Sequence, residues 1–391
     1  MKISGARIAL GASESERRDL AIRQGRLCFE TGTRRDDAVL DLDGFLVLPG
    51  LINAHDHLEF NLFPKLGNGH YPNAAAWARD IYKPHDSPVR EHLALSKRAR
   101  LVWGGLKNLL SGATTVAHHN PVDDPAFGAN FPVKIVAEMG WAHSLDFSPD
   151  LAARFRATPP DWPFLLHAAE GTDEIAHAEI ARLDEIGILG ERTALIHAIG
   201  LDHPGLELVK TRRVGIVWCP GSNLSVYGRT LAPDVLRSEV NIALGTDSAM
   251  TSAADLIDEL DLAKRVSGLD SAALYQMVTA RAARLLRLKD GQGELRHDGA
   301  ADLIAVEDRG QSPAEALASM VPDLVMVGGA IRLVSPGLRE RASAAAPALR
   351  HSIVLEDRGC WFTDVDVPSL HAETVAALGP DYRLAGRRVG P

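Results

Sequence analysis

The chain has 391 residues, of which 46% are hydrophobic and 24% charged, and its formal net charge is -9. This is the balance of an ordinary globular protein. The acidic excess, with Lys and Arg scattered along the chain, argues against a nucleic-acid surface, and no apolar run approaches the roughly 20 residues that span a bilayer. The three cysteines, Cys28, Cys219 and Cys360, lie far apart with no CxxC spacing, so neither a disulfide framework nor a thiolate metal site is suggested. The N-terminal stretch MKISGARIALGASESERRDL lacks the apolar run and cleavage site of a secretory leader, which makes the cytoplasm the expected location.

Residues 1 to about 48 read as short β segments, ARIALG, DLAIRQGRLCFE and AVLDLDGFLVL, separated by polar or Gly-containing turns. From residue 49 apolar strand-like runs alternate with helical stretches, the pattern of βα units on a mostly parallel sheet. The strand candidates are LINAHDH, ATTVAHH, VKIVAEMGWAHSL, PFLLHAAE, TALIHAIG, GIVWCPGS and NIALGTDS. Between them lie the helical runs VREHLALSKRARLVWGGLKNLLSG, TDEIAHAEIARLDEIGIL and SAADLIDELDLAKRVSG. Seven strands suggest a (β/α)8 barrel of the TIM type. The eighth is expected in a region such as Phe60 to Lys83, or else the barrel is distorted. After about residue 295 short β runs return, in GAADLIAVE, PDLVMVGGAIRLV and HSIVLEDRGCWFTDVDV. The expected organisation is therefore a barrel over residues 49–295 and one small β domain built from residues 1–48 and 296–391.

In such a barrel the active site lies at the C-terminal ends of the strands. His55 and His57 end the first strand candidate and project from one face of it, because side chains in an extended chain repeat every second residue. His167 ends PFLLH, His197 ends TALIH and Asp247 ends IALGTD. Two imidazoles aimed at one point can share a metal ion, and with no thiolates available its ligands must be nitrogen and oxygen. By contrast His70, His85, His92, His177, His203, His297, His351 and His371 fall in helices, loops or terminal segments and read as structural or solvated.

The combination PGLINAHDHL, HAAE, HAIGLD, CPGSN and GTDS, closed by GELRHDGAADLIAV, resembles the metal-dependent amidohydrolase superfamily, and within it the cytosine deaminase, chlorohydrolase and adenosylhomocysteine deaminase branch. The likeness runs through nearly the whole chain; a departure is RHDGAADL, where that family usually has a Gly-Lys type turn. The resemblance implies one divalent metal, zinc or iron, held by His55, His57, His167 and Asp247. It implies further that Glu170 and His197 are catalytic, that the terminal segments form a small β-sandwich beside the barrel, and that the chain forms a homo-oligomer such as a dimer.

Each role has a physical argument beside the resemblance. Neutral imidazoles and a carboxylate suit zinc or ferrous iron, and a bound divalent ion lowers the pKa of water toward neutrality. Asp247 can bind the metal while taking a proton from the attacking water; its alternative use is as the N-cap of the helix after GTDSAMTS. His197 would hydrogen-bond the nucleophile or developing oxyanion, or else be a buried histidine satisfied by backbone. Glu170 follows His167 by three residues. A carboxyl acid there can protonate the ring nitrogen of an aromatic amidine, which favours deamination of an amino-heterocycle such as a purine, pterin, pyrimidine or triazine. Otherwise it is an acidic residue in the first turn of the next helix.

Lys134 lies near the start of its strand, so a lysine-bridged pair of metals is not expected. Trp77 and Tyr71, in the long segment after the first strand, are candidates to stack on a planar substrate, and His143 and His119 are candidate pocket residues at strand ends. Ser222 and Asn223 of CPGSN either shape the mouth or form a turn. The alternatives are hydrolysis of a cyclic amide, ring halide or other ring amine, and a metal-free barrel used as a binding module. No GxSxG elbow supports a serine hydrolase.

Overall fold

The computed structural model describes residues 1–29, 37–318 and 320–391. Its centre consists of eight parallel strands: β1 (Leu51–Asp56), β2 (Ala113–His118), β3 (Lys134–Ile135), β4 (Gly140–Ala142), β5 (Phe164–Ala168), β6 (Thr193–His197), β7 (Gly215–Trp218) and β8 (Ile242–Leu244). They form two ladders, β3-β2-β1 and β4-β5-β6-β7-β8. Every residue of β1, β2, β5, β6, β7 and β8 is buried. Such strands read as near-continuous apolar runs because both faces are covered. The ladders meet where the amides of Thr246 and Asp247, just past β8, both donate to the carbonyl of His55 in β1, at 3.0 and 3.1 Å. Gly245 permits this approach, since a Cβ there would lie 2.8 Å from that of His55.

VKIVAEMGWAHSL is two strands rather than one, and this corrects the expected place of the eighth. Lys134–Ile135 adds to β2 and Gly140–Ala142 to β5, and no ladder joins β3 to β4 among the described residues. The break falls at Ala137 and Glu138, both exposed, and a charged residue cannot continue a strand covered on both faces. The segment Phe60 to Lys83 contains instead a helix, α1 (Ala74–Ile81), started by the side chain of Asn73, which accepts from the Ala76 amide.

Four further helices support the strand ends: α2 (Lys97–Leu110), α3 (Glu174–Glu185), α4 (Pro220–Tyr227) and α5 (Leu256–Ser267). The long run VREHLALSKRARLVWGGLKNLLSG breaks before α2, where the Ser96 hydroxyl accepts from the Ala99 amide. Asp173 and Asp255 cap α3 and α5, the latter through a reciprocal capping box with Asp258.

Segments from both ends of the chain meet beside these strands. A ten-stranded sheet pairs Phe45–Pro49 antiparallel with Leu303–Glu307 and runs from Ser15–Arg17 at one edge to Arg383–Leu384 at the other. A four-stranded sheet takes Arg26–Cys28, Leu20–Arg23, Lys2–Ser4 and Val39–Asp41. DLAIRQGRLCFE is thus a hairpin turning at Gln24 and Gly25, and its last residue, Glu30, lies outside the described residues. Ile3, Ile8, Leu20, Leu27, Leu40, Leu46, Ile304 and Val325 share one buried core. The helix Val367–Leu378 near the C-terminus has no counterpart among the expected elements. No helix among the described residues is long and apolar enough to cross a membrane.

Candidate metal centre and active site

Six side chains converge at the C-terminal ends of β1, β5, β6 and β8. His55 Nε2 and His57 Nε2 lie 3.6 and 3.7 Å from Asp247 Oδ1, and the ring of His55 is 5.0 Å from that of His167. His197 Nε2 lies 3.8 Å from the other oxygen of Asp247 and 3.5 Å from Glu170 Oε1. Two overlapping sets have ligand atoms within 4.8 Å of one another: His55, His57 and Asp247, and His55, His167 and His197. The backbone is strained where these groups sit. Ala169, His197, Ala198 and Asp247 all adopt positive φ, a conformation that side-chain-bearing residues take at a cost and that clusters at functional sites.

These donors fit a divalent metal on chemistry and on hydrogen bonding. Both ring nitrogens of His55 and Nε2 of His197 are buried with no hydrogen-bond partner among the described residues. Unpartnered buried polar atoms are costly unless something else binds them. Burial, reinforced by the neighbouring imidazoles, holds His57 and His167 well below the usual histidine range, so both rings are neutral, as a metal ligand must be. Burial alone would raise Asp247, but the surrounding histidines outweigh it and keep the carboxyl well below its ordinary value. His167 Nδ1 lies 2.9 Å from the carbonyl of His143, a contact that fixes the ring and leaves Nε2 for the site. Lys134 is elsewhere, its ammonium 2.8 Å from Asp302.

Asp247 does not cap α5, since Asp255 does. Its carboxylate instead accepts from Ser222 Oγ at 2.7 Å, Thr251 Oγ1 at 3.1 Å and the Ser248 amide at 2.8 Å. Glu170 precedes α3 by four residues and so belongs to the loop rather than to the first turn. It is largely buried, which raises its carboxyl; His197 and the Tyr227 hydroxyl pull the other way.

The chain matches the amidohydrolase family over residues 148–332. It is 28% identical to a 5-methylthioadenosine/S-adenosylhomocysteine deaminase of Syntrophobacter fumaroxidans, over 85% of each chain. It is 25% identical to a 5'-deoxyadenosine deaminase of Methanobrevibacter smithii, over 75% of this chain and 79% of that relative. Among solved structures, an adenosine deaminase from Xanthomonas campestris with bound zinc superposes over 96% of this chain and 98% of that one, with a TM-score of 0.68 at 19% identity. Atrazine chlorohydrolase from Arthrobacter aurescens complexed with zinc covers 84% of this chain and 94% of its own, with a TM-score of 0.69 at 18% identity. Over residues 148–332 the chain is thus similar to the amidohydrolase family, and the two relatives named above are deaminases.

The candidate metal centre opens into a cavity of about 810 Å³. His57, His167, Glu170, His197 and Asp247 form its floor, and Phe60, Trp77, Ile81, Tyr82, Phe147 and Met250 give it apolar walls, with Arg79 and Asp146 also lining it. Helix α1 contributes Trp77, whose indole nitrogen donates to the Leu66 carbonyl. His143 lines the cavity and stacks on His167 at 4.8 Å. Tyr71 is not among the lining residues: its hydroxyl is held by Asp80 at 2.5 Å and accepts from the Asn68 amide. His119 is likewise not a lining residue. It is fully buried, 4.6 Å from His167 and 5.1 Å from His55 between ring centres, with Nε2 3.0 Å from the Ala142 carbonyl.

Three contributors to the site lie outside the motifs read in the sequence: Thr251 on Asp247, Tyr227 on Glu170, and Lys107 beneath the first strand. Lys107 is buried, with Nζ 3.0 Å from Asp56 Oδ2, 2.7 Å from Asn61 Oδ1 and 3.0 Å from Thr246 Oγ1. An ammonium inside an apolar-looking helix could have been flagged as a buried cation in need of a carboxylate.

Proposed function

We propose that this protein is an aminohydrolase that replaces the exocyclic amine of a nitrogen heterocycle by oxygen, consuming water and releasing ammonia. An adenine-type nucleoside is the first substrate class to test, because the relatives named above are deaminases of such molecules. The observation that carries the reading is the position of Glu170, whose carboxyl lines the same cavity as the histidines and lies 3.5 Å from His197. A ring amidine needs its nitrogen protonated as water adds to the adjacent carbon, and a carboxyl with a raised pKa serves as that donor.

In this reading His55, His57, His167 and Asp247 hold one divalent ion, zinc first. When bound, such an ion acidifies water and supplies positive charge against the developing anion. Asp247, its carboxyl held below the ordinary value by the facing histidines, takes the proton of the attacking water. His197 holds the incoming oxygen by a hydrogen bond, with its ring fixed through Nδ1 by Asn223 at 2.7 Å. Glu170 delivers a proton to the ring nitrogen; the proton taken by Asp247 passes to the amine as it leaves as ammonia, and the remaining hydroxyl proton of the added water returns to Glu170. The apolar walls around Trp77 exclude water from the ring and its substituent. We place this chemistry on a (β/α)8 barrel over residues 49–295, flanked by a sandwich of residues 1–48 and 296–391, in a cytoplasmic homodimer.

The test is ammonia release from a panel of amino-purines and their nucleosides, pterins, pyrimidines and triazines, with protein of measured metal content. Ammonia from one ring class with about one metal per chain is expected. Full metal with no ammonia from any of them would overturn the deaminase reading.

A further inference from the structure

Helix α4 touches three of the groups just assigned. From its first turn Ser222 Oγ donates to Asp247 Oδ2 at 2.7 Å and Asn223 Oδ1 meets His197 Nδ1 at 2.7 Å; from its last residue the Tyr227 hydroxyl reaches Glu170 Oε1 at 2.6 Å. Asn223 and Tyr227 are four residues apart and share a helix face, with Ser222 beside them. The helix is pinned at both ends. The Gly221 amide donates to Glu259 Oε2 at 2.9 Å, and a Cβ at Gly221 would lie 2.2 Å from Glu259 Oε1, so the first turn seats against that carboxyl only with glycine. At the other end the Tyr71 amide donates to the Val226 carbonyl at 2.8 Å, and Gly228 closes the helix at positive φ.

We propose that Tyr227 is a positioning residue for Glu170: its hydroxyl binds Oε1 and thereby leaves Oε2 as the oxygen that faces the substrate and carries the mobile proton. The inference rests on the deaminase reading for its purpose and on geometry for its content. Tyr227 is 4% exposed, and its hydroxyl has Glu170 as its single hydrogen-bond partner among the described residues. A buried phenol must donate its one proton, and Glu170 Oε1 is the acceptor at hand. Oε1 also faces His197, whereas Oε2 has no hydrogen-bond partner among the described residues, and the carboxyl lines the cavity. Were the carboxyl proton on Oε1 and donated to the phenol oxygen, the phenol proton would have no acceptor. The arrangement that satisfies every group puts the proton on Oε2, toward a ring nitrogen. After transfer the same phenol donates to the carboxylate, so neither oxygen needs to turn.

Tyr227→Phe removes one oxygen and keeps the buried ring. The infrared band of the Glu170 carboxyl, identified by its disappearance in Glu170→Gln, is expected to move in Tyr227→Phe. Turnover in that variant should fall about ten- to hundredfold, as for a misplaced catalytic group, with KM and metal content unchanged. In the Glu170→Gln background the same substitution should have no further effect on kcat, because Tyr227 acts through Glu170. A band that does not move, or equal losses in both backgrounds, would overturn the proposal while leaving a deaminating wild type intact. A band that moves in a protein that releases no ammonia would uphold the contact and sink the deaminase reading instead.

Discussion

Asp247 carries the sharpest conflict of any residue in the site. It is a buried carboxylate, which desolvation would neutralise, yet it faces His55, His57 and His197 and takes hydrogen bonds from Ser222, Thr251 and the Ser248 amide. Hydrogen bonds to the ionised form and the facing imidazoles outweigh burial, and the carboxyl is held well below its ordinary value. Removing it leaves the two imidazoles of β1 without the oxygen on which both converge. Asp247→Ala is therefore expected to lose bound metal, read by elemental analysis, together with turnover. Glu170→Gln should keep the metal and lower kcat by about 10² to 10⁴, the range for a general acid; retained deamination would refute the proton-donor role. These residues were legible in the sequence because each lies at or just past the end of an apolar strand, and the structure brings those strand ends together. Tyr227 was not: its partner lies 57 positions away and no local spacing joins them.

At the scale of elements, α2 is fastened to β1 by a buried ion pair, Lys107 to Asp56, inside a fully partnered polar network. Asp56 also accepts from Asn61 at 2.7 Å, Asn108 at 2.8 Å and Asn53 at 3.2 Å, while Thr246, next to Asp247, bonds the same carboxylate at 3.1 Å. Asp56 stands between His55 and His57, so the network fixes the strand that aims both rings. Breaking one side of such a pair strands a buried charge and costs about 3–5 kcal/mol. Lys107→Met should lose that much in denaturant unfolding, and adding Asp56→Asn should recover much of it; simple additivity would mean that the ion pair is not what binds the helix. Element types were readable from periodicity, and α3 and α5 begin where an aspartate stands ready to cap. The split of β3 from β4 escaped because VKIVAEMGWAHSL is apolar enough to pass as one strand, and only the exposure of Glu138 shows that the chain changes ladders there.

At the scale of the whole molecule, two buried glutamates make folding depend on pH. Glu259, which supports α4, is pushed up by burial to about 8, and Glu179, which accepts from the Ala169 amide at 2.6 Å behind Glu170, to about 7, again by burial. An acid whose pKa is higher folded than unfolded binds its proton more tightly when folded. Its stabilisation is complete below the unfolded value near 4.5 and is lost as pH rises through about 7 for Glu179 and about 8 for Glu259. At 1.36 kcal/mol per unit, each group removes a few kcal/mol across that window. The melting temperature should therefore fall between about pH 4.5 and pH 8 and level off above. Glu259→Gln keeps an oxygen to accept from the Gly221 amide and cannot ionise, so it should match the wild type near pH 4.5 and exceed it increasingly up to about pH 8. A wild-type melting temperature that is flat over this range, or a variant that falls as steeply, would show that Glu259 is already ionised in the folded protein. The seat of α4 would then be a buried carboxylate rather than a neutral acid.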